Sequence, residues 1–505
     1  MHKIKFIYPF LITLILISCQ KEEIAIPLEN TQNEDLSGYQ EIASINLGGL
    51  GAAEITAFDP STNRLFAVNN GSENKIDVID ISNPASISVI KSISMTPYGG
   101  YVNSVAVSNG KLAAAIESTD KQAPGKIVVF NTTTYAEIKS VTVGALPDMV
   151  TFSPDGNYII SANEGEPSAN YLNDPEGTIS IIKVSDYSVI TLNFASFENQ
   201  LASLTAKGFR IFGPGKNFNK DIEPEYISVS DDSKTAYVTL QENNAIAEVD
   251  IASATIKKIT PLGFKDYSLA PNAIDVSDRD NKIEFNPVSK LFGIYMPDAI
   301  AFLNYNGTPY LFTANEGDSR EYTAFTEMKR VSAVSLDATN FPNASALKTD
   351  LNLGRLNITT TLGDNDSDGD FDALYSLGSR SFSVWNATTG SQVFDSKNEL
   401  DIKAKELAIY DDTRSDDKSV EPESVCVGRV GNKNIAIVGL ERADAFAIYD
   451  ITIPTAPVFV KMFKTGDAPE GIIFIPASKS PIKQSLIVIS SENDGLVKIY
   501  KSTKL

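Results

Sequence analysis

Short apolar runs separated by polar turns recur along the whole chain. Each repeat has the same order: an acidic start, an apolar strand, a turn, a second apolar strand, a turn rich in acids and amides, and then a hairpin. Short apolar runs bounded by turn residues are typical of β-strands. The first strand occurs in seven versions, six with a carboxylate at the same place and one with Asn103: AAEITAF, YVNSVAV, LPDMVTF, EPEYISV, MPDAIAF, EPESVCV and APEGIIF.

A second and a third apolar strand follow each of these starts. The second strands, such as YIISANEG and YLFTANEG, end in Glu, Asn or Gln at the equivalent point. The third strands continue into a fourth strand in six units, whereas the seventh unit stops at Leu505. The stretch YQEIASINLGG, before Glu54, has the fourth-strand pattern and no unit in front of it. The pattern therefore predicts an all-β fold, a seven-bladed β-propeller closed by pairing of the N-terminal strand with the C-terminal blade.

The predicted propeller occupies residues 38–505 as a single domain. Its repeats average about 70 residues, against ~40–50 in typical propellers, so the loops carry insertions. The longest insertion, residues 319–378, lies inside the fifth blade, and shorter ones lie near 165–177, 186–222 and 263–296. Residues 19–37 are polar and acidic, and we expect them to form a flexible tether.

The chain opens with a basic start and an apolar run from Phe6 to Ile17. Because this run is too short to span a membrane and ends in small residues, residues 1–18 are predicted to be a cleaved signal peptide. The sequence LISC resembles a bacterial lipobox, which makes Cys19 the acylated first residue of the mature chain; an ordinary signal peptide with an unrelated cysteine is the alternative. The QKEE that follows resembles the export signal of surface lipoproteins. We therefore expect an outer membrane lipoprotein exposed on the cell surface, with a periplasm-facing anchor as the alternative.

The mature chain is strongly acidic and contains no histidine. Cleavage after residue 18 removes His2, Lys3 and Lys5, and takes the formal net charge from −21 to −23. Ser-His-Asp and Cys-His nucleophiles, histidine-ligated metals and histidine general bases are therefore excluded. Acidic residues spread along the chain argue against a nucleic-acid partner and favour solubility or cation binding. Cys426 remains as a single thiol in an apolar strand pattern, so we expect a buried core residue and no internal disulfide.

Acidic and amide residues recur at the starts of first strands and the ends of second strands. In a four-stranded antiparallel blade these two points lie on the same face, so we expect them to meet around the mouth of the central channel. So many carboxylates repel one another unless cations, hydrogen bonds or raised pKa values relieve them. Two interpretations stay open: structural bonding between blades, and a cation or polyol site formed by part of the ring. The predicted acidic channel mouth comprises Glu54, Asp148, Glu225, Asp298, Glu423, Glu470, Asn163, Glu164, Glu242, Asn315, Glu316, Glu441 and Glu492.

A second acidic feature, GDNDSDGDFDALY, lies inside the long insertion. Oxygen ligands at positions one, three, five and nine, a glycine at six and a backbone carbonyl at seven match the first nine positions of a calcium loop. Position twelve is Tyr375 rather than the bidentate Glu of an EF-hand, so a helix-loop-helix sensor is not indicated. An unliganded Asp-rich turn is the alternative. The pattern predicts a structural calcium site that orders the insertion, with the candidate ligands Asp364, Asp366, Asp368, Asp370 and Asp372.

Four separated stretches share a resemblance to one known family: PDAIAFLNYNGTPYLFTANEGDSREY, EPEYISVSDDSKTAYVTLQENNAIAEVDI, GDNDSDGDFDALYSLGSRSFSVWN and GLERADAFAIYDI. They resemble the choice-of-anchor I family, bacterial secreted or surface propellers with varied anchoring devices, and are similar to proteins labelled mesenchyme-specific cell surface glycoprotein. The resemblance runs from about residue 40 to 503. It implies the propeller fold and a surface location, with the lipobox as this member's anchor, and it implies no established reaction.

Two functional hypotheses remain. In the first, a non-catalytic binding module uses its acidic mouth or its insertion to recognise an extracellular polymer, glycan or protein. The second is a calcium-dependent phosphoesterase, by analogy with phytase-like propellers, in which bound Ca²⁺ neutralises phosphate and activates water. Such an enzyme needs Lys or Arg for phosphate, and the sequence offers Arg320, Arg380 and Arg442. We prefer the binding module, because few basic residues fall on the acidic face.

Replacing Cys19 tests the predicted anchor. Cys19→Ser is expected to abolish labelling by radioactive palmitate and to move the protein from the membrane to the soluble fraction, because acyl chains supply about 0.8 kcal/mol of membrane affinity per buried CH₂. Detergent-phase partition measures the second effect. Cys426→Ser serves as the matched control and should change neither readout. Palmitate incorporation that persists in Cys19→Ser would contradict the prediction.

Overall fold

Four-stranded antiparallel sheets make up most of the structure. The computed structural model describes residues 34–503, so the predicted signal peptide, Cys19 and nearly all of the predicted tether lie outside the described residues. Within residues 34–503 there are seven such sheets, numbered 1 to 7 in the chain order of their first strands. The prediction of an all-β fold is confirmed.

Sheets 1 to 4 each consist of four consecutive strands. Their bounds are Thr56–Asp59, Arg64–Asn69, Lys75–Asp80 and Ser88–Ser94 in sheet 1; Val102–Ser108, Lys111–Ile116, Pro124–Asn131 and Glu137–Ala145 in sheet 2; Pro147–Phe152, Tyr158–Asn163, Thr178–Lys183 and Ser188–Leu192 in sheet 3; and Pro224–Val229, Thr235–Leu240, Ala245–Asp250 and Thr255–Pro261 in sheet 4.

Sheets 5 and 7 depart from this simple order. In sheet 5 a long segment separates the second and third strands, and in sheet 7 the outer strand comes from the N-terminal part of the chain. The bounds are Ile300–Tyr305, Thr308–Asn315, Ser381–Asn386 and Gln392–Asp395 in sheet 5; Pro422–Val430, Lys433–Leu440, Ala445–Asp450 and Val458–Lys464 in sheet 6; and Pro469–Ile475, Leu486–Ser491, Leu496–Ser502 and Tyr39–Asn46 in sheet 7.

Helices within residues 34–503 are short and lie in the connections. The α-helices are Leu201–Thr205, Ala344–Leu347 and Glu399–Glu406, and the 3₁₀ turns are Leu36–Gly38, Ala195–Gln200, Ala270–Asn272, Val331–Ala333, Leu353–Arg355, Asp412–Arg414 and Glu441–Ala443. In this described part of the chain, no helix combines the length and the apolar character needed to cross a membrane.

The two middle strands of each sheet are the most buried. In sheet 3, Tyr158–Asn163 and Thr178–Lys183 are almost entirely buried, whereas Ser188–Leu192 is mostly exposed. Because sheets pack face to face on both sides of the middle strands, these strands are apolar throughout rather than alternating. Each fully buried Val, Leu, Ile or Phe contributes about 1.5–3 kcal/mol. The hydrophobic core therefore lies between neighbouring sheets.

The first strands of the sheets lie side by side around one axis. From sheet 1 to sheet 6, each first strand contacts the first strand of the next sheet, and the first strand of sheet 7 contacts that of sheet 1. Radial repetition of four-stranded antiparallel sheets defines the β-propeller fold. The starts of the first strands thereby come together at one end of the axis.

The N-terminal strand completes sheet 7. Tyr39–Asn46 pairs antiparallel with Leu496–Ser502, from Tyr39 opposite Ser502 to Asn46 opposite Leu496. The residues just before it are also attached: Leu36 is buried, and the Glu34 carboxylate accepts a hydrogen bond from the backbone N–H of Ser485 at 2.9 Å. Residues 34–37, which the sequence assigned to the tether, are therefore part of the folded structure.

Residues 316–380 form the long segment inside sheet 5. They pack against the connection between sheets 4 and 5 through a three-stranded sheet and a separate apolar cluster centred on Tyr267, Phe341 and Leu356. The three strands are Phe264–Asp266, Leu291–Ile294 and Leu374–Ser376, and two further strand pairs are Glu321–Tyr322 with Phe325–Thr326 and Met328–Arg330 with Asn357–Thr359. Two of the predicted insertions, 263–296 and 319–378, thus fold together as one satellite unit.

The repeated sequence ANEG ends the second strands of sheets 3 and 5. Gly165 and Gly317 have positive φ angles of 76° and 84°. A Cβ on Gly165 would lie 2.8 Å from the backbone N of Gly177, and one on Gly317 would lie 2.1 Å from that of Gly378. Both the left-handed backbone and the close approach of a second chain segment require glycine. The motif therefore closes the neck of each inserted loop.

Substitution of Gly317 tests this role. Gly317→Ala is expected to destabilise the protein by ~1–3 kcal/mol more than Gly307→Ala, because only at position 317 does the added methyl group collide with backbone. Gly307 is the matched control, since its φ is 82° and nothing lies within 4 Å of a Cβ added there. Urea unfolding followed by circular dichroism measures the difference. Equal losses in the two variants would contradict the prediction.

Candidate functional site

Carboxylates from several sheets line a small cavity on the axis, here called the central cavity. Its volume is about 210 Å³. The carboxylates that line it come from sheets 3 to 7: Asp148, Glu225, Asp298, Glu316, Asp318, Glu423 and Glu470. Five of these seven are predicted first-strand residues, so the structure brings the predicted positions together.

A second cavity of about 490 Å³, here called the side cavity, adjoins the first. It is lined by residues of sheets 1 to 3, including Glu54, Glu117, Lys121, Glu164 and Glu166. Asn103 and Asp148 line both cavities. The two cavities therefore form one continuous acidic region at the starts of the first strands.

β-Bulges aim the first-strand carboxylates at the axis. The register between first and second strand shifts at Asp148, Glu225, Glu423 and Glu470. A bulged residue leaves the hydrogen-bonded ladder and its side chain is turned to a new direction. Proline precedes each of these residues, which suits a strand start because proline has no N–H to donate. At the start of a first strand, a proline followed by an acid thus marks an inward-facing carboxylate.

Burial and mutual repulsion raise the pKa values of these carboxyls. Burial, together with the charges of Glu492 and Asp148, raises the pKa of Glu54 to about 8. Burial and the charge of Glu166 raise the pKa of Asp148 to about 6. Burial first, and neighbouring carboxylates second, hold the pKa values well above the usual range at four more positions, Glu225, Asp298, Glu423 and Glu470. Part of the region is therefore protonated near neutral pH unless a cation compensates the charge.

One sector of the region carries its own cations. Lys418 Nζ lies 2.6 Å from Glu316 Oε1 and 3.2 Å from Glu421 Oε2. Arg414 Nε donates a hydrogen bond to Glu421 Oε1 at 3.0 Å. Burial alone would raise the pKa of Glu421, but Lys418 and Arg414 outweigh it and hold that pKa below its usual value. This sector is neutralised by the protein itself.

The basic residues proposed from sequence as phosphate ligands lie in different environments. Arg320 is 3% exposed and pairs with two buried carboxylates, and Arg380 is 1% exposed and donates to backbone carbonyls. Arg442 alone is accessible, with its Nη2 3.0 Å from Glu441 Oε1. Sequence reasoning missed three basic residues of this region because they lie in turns that do not repeat: Lys121, Arg414 and Lys418.

Asn163 and Asn315 line neither cavity, which corrects the prediction that they belong to the mouth. Both side chains are fully buried within their sheets. Asn163 Nδ2 donates to Ser180 Oγ at 3.0 Å, and Asn315 Nδ2 donates to Ser383 Oγ at 2.9 Å. Because successive side chains of a strand point in opposite directions, only the glutamate after each asparagine faces the axis. The amides join the second and third strands.

Seven of the other predicted mouth residues belong to compact groups: Glu164, Glu225, Glu242, Asp298, Glu316, Glu423 and Glu441. Three groups bring carboxylate oxygens within 4.8 Å of one another: Glu164, Glu225 and Glu242; Asp298, Glu316 and Glu423; and Glu316, Glu421 and Glu441. Glu492 lies beside Glu54 and Glu470, since its charge raises the pKa values of both carboxyls in addition to their burial. The donor chemistry of these groups suits an oxygen-liganded cation, but in the third group Lys418 already pairs with Glu316 and Glu421.

The Asp-rich loop of the insertion also forms compact groups. Two sets of three carboxylates have oxygens within 4.8 Å of one another: Asp364, Asp366 and Asp372, and Asp337, Asp370 and Asp372. Asp337 was missed from the sequence because a parallel bridge between Leu336 and Phe371 brings it to the loop. Asp368 belongs to neither set, and its Oδ1 accepts a hydrogen bond from the backbone N–H of Asp370 at 3.1 Å. An all-oxygen donor set of this kind suits Ca²⁺.

Comparison with known proteins identifies one family and two curated relatives. The model of the choice-of-anchor I domain matches residues 54–454. Gigasin-3a of Magallana gigas is 29% identical over 189 residues, which are 31% of this chain and 66% of the relative. The mesenchyme-specific cell surface glycoprotein of Strongylocentrotus purpuratus is 26% identical over 301 residues, which are 50% of this chain and 38% of the relative. The chain thus spans less than two thirds of the length of either relative.

Solved structures resemble the chain at low sequence identity. Hydrazine synthase of Kuenenia stuttgartiensis has a TM-score of 0.49 and 11% identity, covering 90% of this chain and 96% of that chain. The Myceliophteria thermophila Cps50 (Swd1) β-propeller domain has a TM-score of 0.47 and 8% identity, covering 92% of this chain and 100% of that chain.

The raised pKa values predict how stability depends on pH. In chelator, the free energy of unfolding is expected to fall as pH rises from 5 to 8, because carboxyls such as Glu54, Asp148 and Glu441 keep protons up to pKa values of about 8, 6 and 7 in the folded state. The unfolded chain releases those protons near pH ~4, so the folded state binds more protons throughout this window and loses stability as they dissociate.

Urea unfolding at unit pH intervals in EDTA measures this slope. Glu54→Gln, which mimics the protonated carboxyl, should make the slope shallower. Glu198→Gln, at an exposed glutamate outside the region, is the control and should leave the slope unchanged. Stability that rises with pH across the window would contradict the assignment.

Proposed function

We propose that this chain, which belongs to the choice-of-anchor I family, is a surface-anchored β-propeller that binds an extracellular polymer, glycan or protein without catalysing a reaction. Its partner surface is the acidic region at the starts of the first strands. The observation that carries the proposal is the convergence of carboxylates with raised pKa values on two adjoining cavities. The sequence has no histidine apart from His2, so common nucleophile activation by histidine has no residue to act through.

The proposed architecture is a closed ring of seven blades. Sheets 1 to 7 would be the blades, and the N-terminal strand would close the ring by completing the last one. Support comes from the contact between the first strands of sheets 7 and 1, and from the pairing of Tyr39–Asn46 with Leu496–Ser502. A closed ring leaves no open edge between its first and last sheets, which protects the fold from edge-to-edge association.

The proposed anchor is a lipid on Cys19 in the outer membrane. Residues 1–18 would be removed as a signal peptide, and the segment from Cys19 to the first attached residues near Glu34 would be the tether. The relative named a mesenchyme-specific cell surface glycoprotein supports a surface location. The anchor would leave the acidic region free to meet material outside the cell.

The Asp-rich loop of the insertion is proposed to hold a structural calcium ion. Asp364, Asp366 and Asp372 would supply carboxylate oxygens, with Asp337 and Asp370 adding a second set on the other side of Asp372. Extracellular calcium modules bind with dissociation constants of about 10⁻⁴–10⁻³ M, which is sufficient outside the cell. The ion would tie the Asp-rich loop to the chain segment that carries Asp337.

A phosphoesterase is the second candidate, favoured by one observation. Lys121 lies at the side cavity, with its Nζ 3.3 Å from Glu166 and 4.0 Å from Glu117, and it is half-exposed. A lysine beside several carboxylates offers a phosphate partner next to places where Ca²⁺ fits. The binding module remains preferred, because Arg320 and Arg380 are committed to buried contacts elsewhere.

Two measurements separate these functions. Turnover of p-nitrophenyl phosphate and phytate is assayed in calcium and in EDTA, and capture on an array of neutral and acidic glycans is assayed with the same protein. The binding module predicts no chelator-sensitive turnover and glycan capture that is lost in Glu164→Gln but kept in Glu198→Gln. Turnover that disappears in EDTA and in Glu164→Gln would replace the binding module with the enzyme.

The calcium loop has its own test. Asp366→Ala is expected to remove one calcium ion from the stoichiometry measured by calorimetry, and to lower the calcium-induced rise in melting temperature, because ligand binding to the folded state stabilises it by mass action. Asp232→Ala, in an exposed hairpin of sheet 4, is the control. An unchanged stoichiometry in Asp366→Ala would show that the loop holds no ion.

A further inference from the structure

Three carboxylates meet where sheet 3 adjoins sheet 4. Glu164 follows the second strand of sheet 3, Glu225 occupies the bulge of the first strand of sheet 4, and Glu242 follows the second strand of sheet 4. Oxygens of the three lie within 4.8 Å of one another. They come from three different chain segments, so their proximity is fixed by the packing of two sheets rather than by a local turn.

One of these carboxylates has a buried oxygen without a partner. Glu242 is 3% exposed, and its Oε2 makes no hydrogen bond in the structure. A buried carboxylate oxygen that lacks a donor destabilises the fold, and a folded protein normally supplies a donor or an ion to it. Because the carboxylate that carries this oxygen belongs to the group of three, a cation bound by the group would compensate it.

Within residues 34–503, no basic side chain forms an ion pair with this group, although the charges of Lys121 and Arg320 act on Glu164 and Glu242 from a longer distance. Ion pairs among residues 34–503 do not include Glu164, Glu225 or Glu242. The nearest basic side chains are committed elsewhere: Lys121 to Glu166, Arg320 to Asp221 and Glu223, and Arg210 to Glu327. Arg210 Nη1 reaches only the backbone carbonyl of Glu242, at 3.1 Å.

In a neighbouring group of three carboxylates, a lysine of the protein compensates the negative charge. Glu316, Glu421 and Glu441 are equally compact, but Lys418 Nζ lies among them at 2.6 Å from Glu316 and 3.2 Å from Glu421. There a lysine ammonium occupies the place that a bound ion would take. The group at sheets 3 and 4 has the same geometry with no such side chain.

We infer that Glu164, Glu225 and Glu242 bind a divalent cation of the calcium class, separate from the ion proposed for the Asp-rich loop. Hard oxygen donors and three negative charges match the preference of Ca²⁺, which takes about six to eight oxygen ligands. Glu164 also lines the side cavity, which gives the ion a path from solvent and leaves coordination positions for water. The ion joins sheet 3 to sheet 4.

Calcium titration by calorimetry tests the site in the full mature protein. Asp366→Ala serves as the background, so that the insertion loop does not contribute, and Glu242→Gln is added to it. We expect the background protein to retain calcium binding, and the added Glu242→Gln to remove one ion from the stoichiometry or to weaken it by roughly tenfold or more, because ligand charge sets calcium affinity. Melting temperature in calcium should fall with the lost ion, while melting temperature in EDTA should not.

Glu470→Gln is the matched control, since it removes one buried carboxylate of the central cavity outside the group. It should leave the stoichiometry unchanged. Equal weakening in Glu242→Gln and Glu470→Gln would overturn the inference, because general attraction to the acidic region would then explain the binding. Absence of calcium binding in the Asp366→Ala background, or full binding after Glu242→Gln, would also overturn it.

Glu225→Gln provides a second variant if Glu242→Gln does not fold, with the same expectation. The inference is independent of the proposed ligand-binding role, and the two fail separately. Calcium binding without glycan capture in the unsubstituted protein would reject the proposed function alone. Glycan capture by an Asp366→Ala protein that binds no calcium would reject the cation site alone.

Discussion

The structure depends on one constraint: carboxylates of like charge are held close together around a single axis. A propeller must bring the starts of its first strands together, and this sequence places an acid at nearly every one of them. Each such carboxylate loses water and meets other carboxylates, which raises its pKa and costs stability. Apolar packing between the sheets offsets that cost, because the middle strands are covered on both faces. Apolar packing of the middle strands therefore stabilises the fold, and repulsion between carboxylates at the starts of the first strands destabilises it.

The acidic region resolves this strain differently on its two sides. Beside sheets 5 and 6, lysine and arginine from the turns before sheet 6 enter the carboxylate cluster and neutralise it. Beside sheets 3 and 4, Arg210 and Arg320 form buried ion pairs with other carboxylates, and the carboxylates of the acidic region lie next to one another. Repetition of a unit gives every sheet an acid, but the loops between units decide which acids are compensated. The asymmetry of the region comes from those loops.

Features that repeat along the chain or have a local spacing could be predicted from the sequence, whereas contacts made by long-range packing could not. The apolar runs and their common acidic position indicated the strands and the inward-facing carboxylates, because both follow from the periodicity of the repeat. Asn163 and Asn315 were predicted to lie in the mouth together with the glutamates that follow them. Successive side chains of a strand point in opposite directions, so an asparagine and the next glutamate do not both face the axis. Lys418 and Asp337 were missed because their partners are brought to them by long-range packing. The Asp-rich loop could be proposed from the sequence because the spacing of its aspartates is local. The second set of carboxylates could not, because it includes Asp337 from a distant segment.

The N-terminal strand that completes sheet 7 has a consequence for the order in which the molecule is made. Its partner, Leu496–Ser502, follows all the other strands of the seven sheets in the chain, so the outermost position of that sheet stays empty until that segment has been synthesised. Until then Tyr39–Asn46 has no strand to pair with in sheet 7. Its composition suits that interval, since Gln40, Glu41 and Asn46 interrupt the apolar residues and discourage pairing with other chains. Tyr39–Asn46 is therefore held in a sheet only after the strands of all seven sheets have been made.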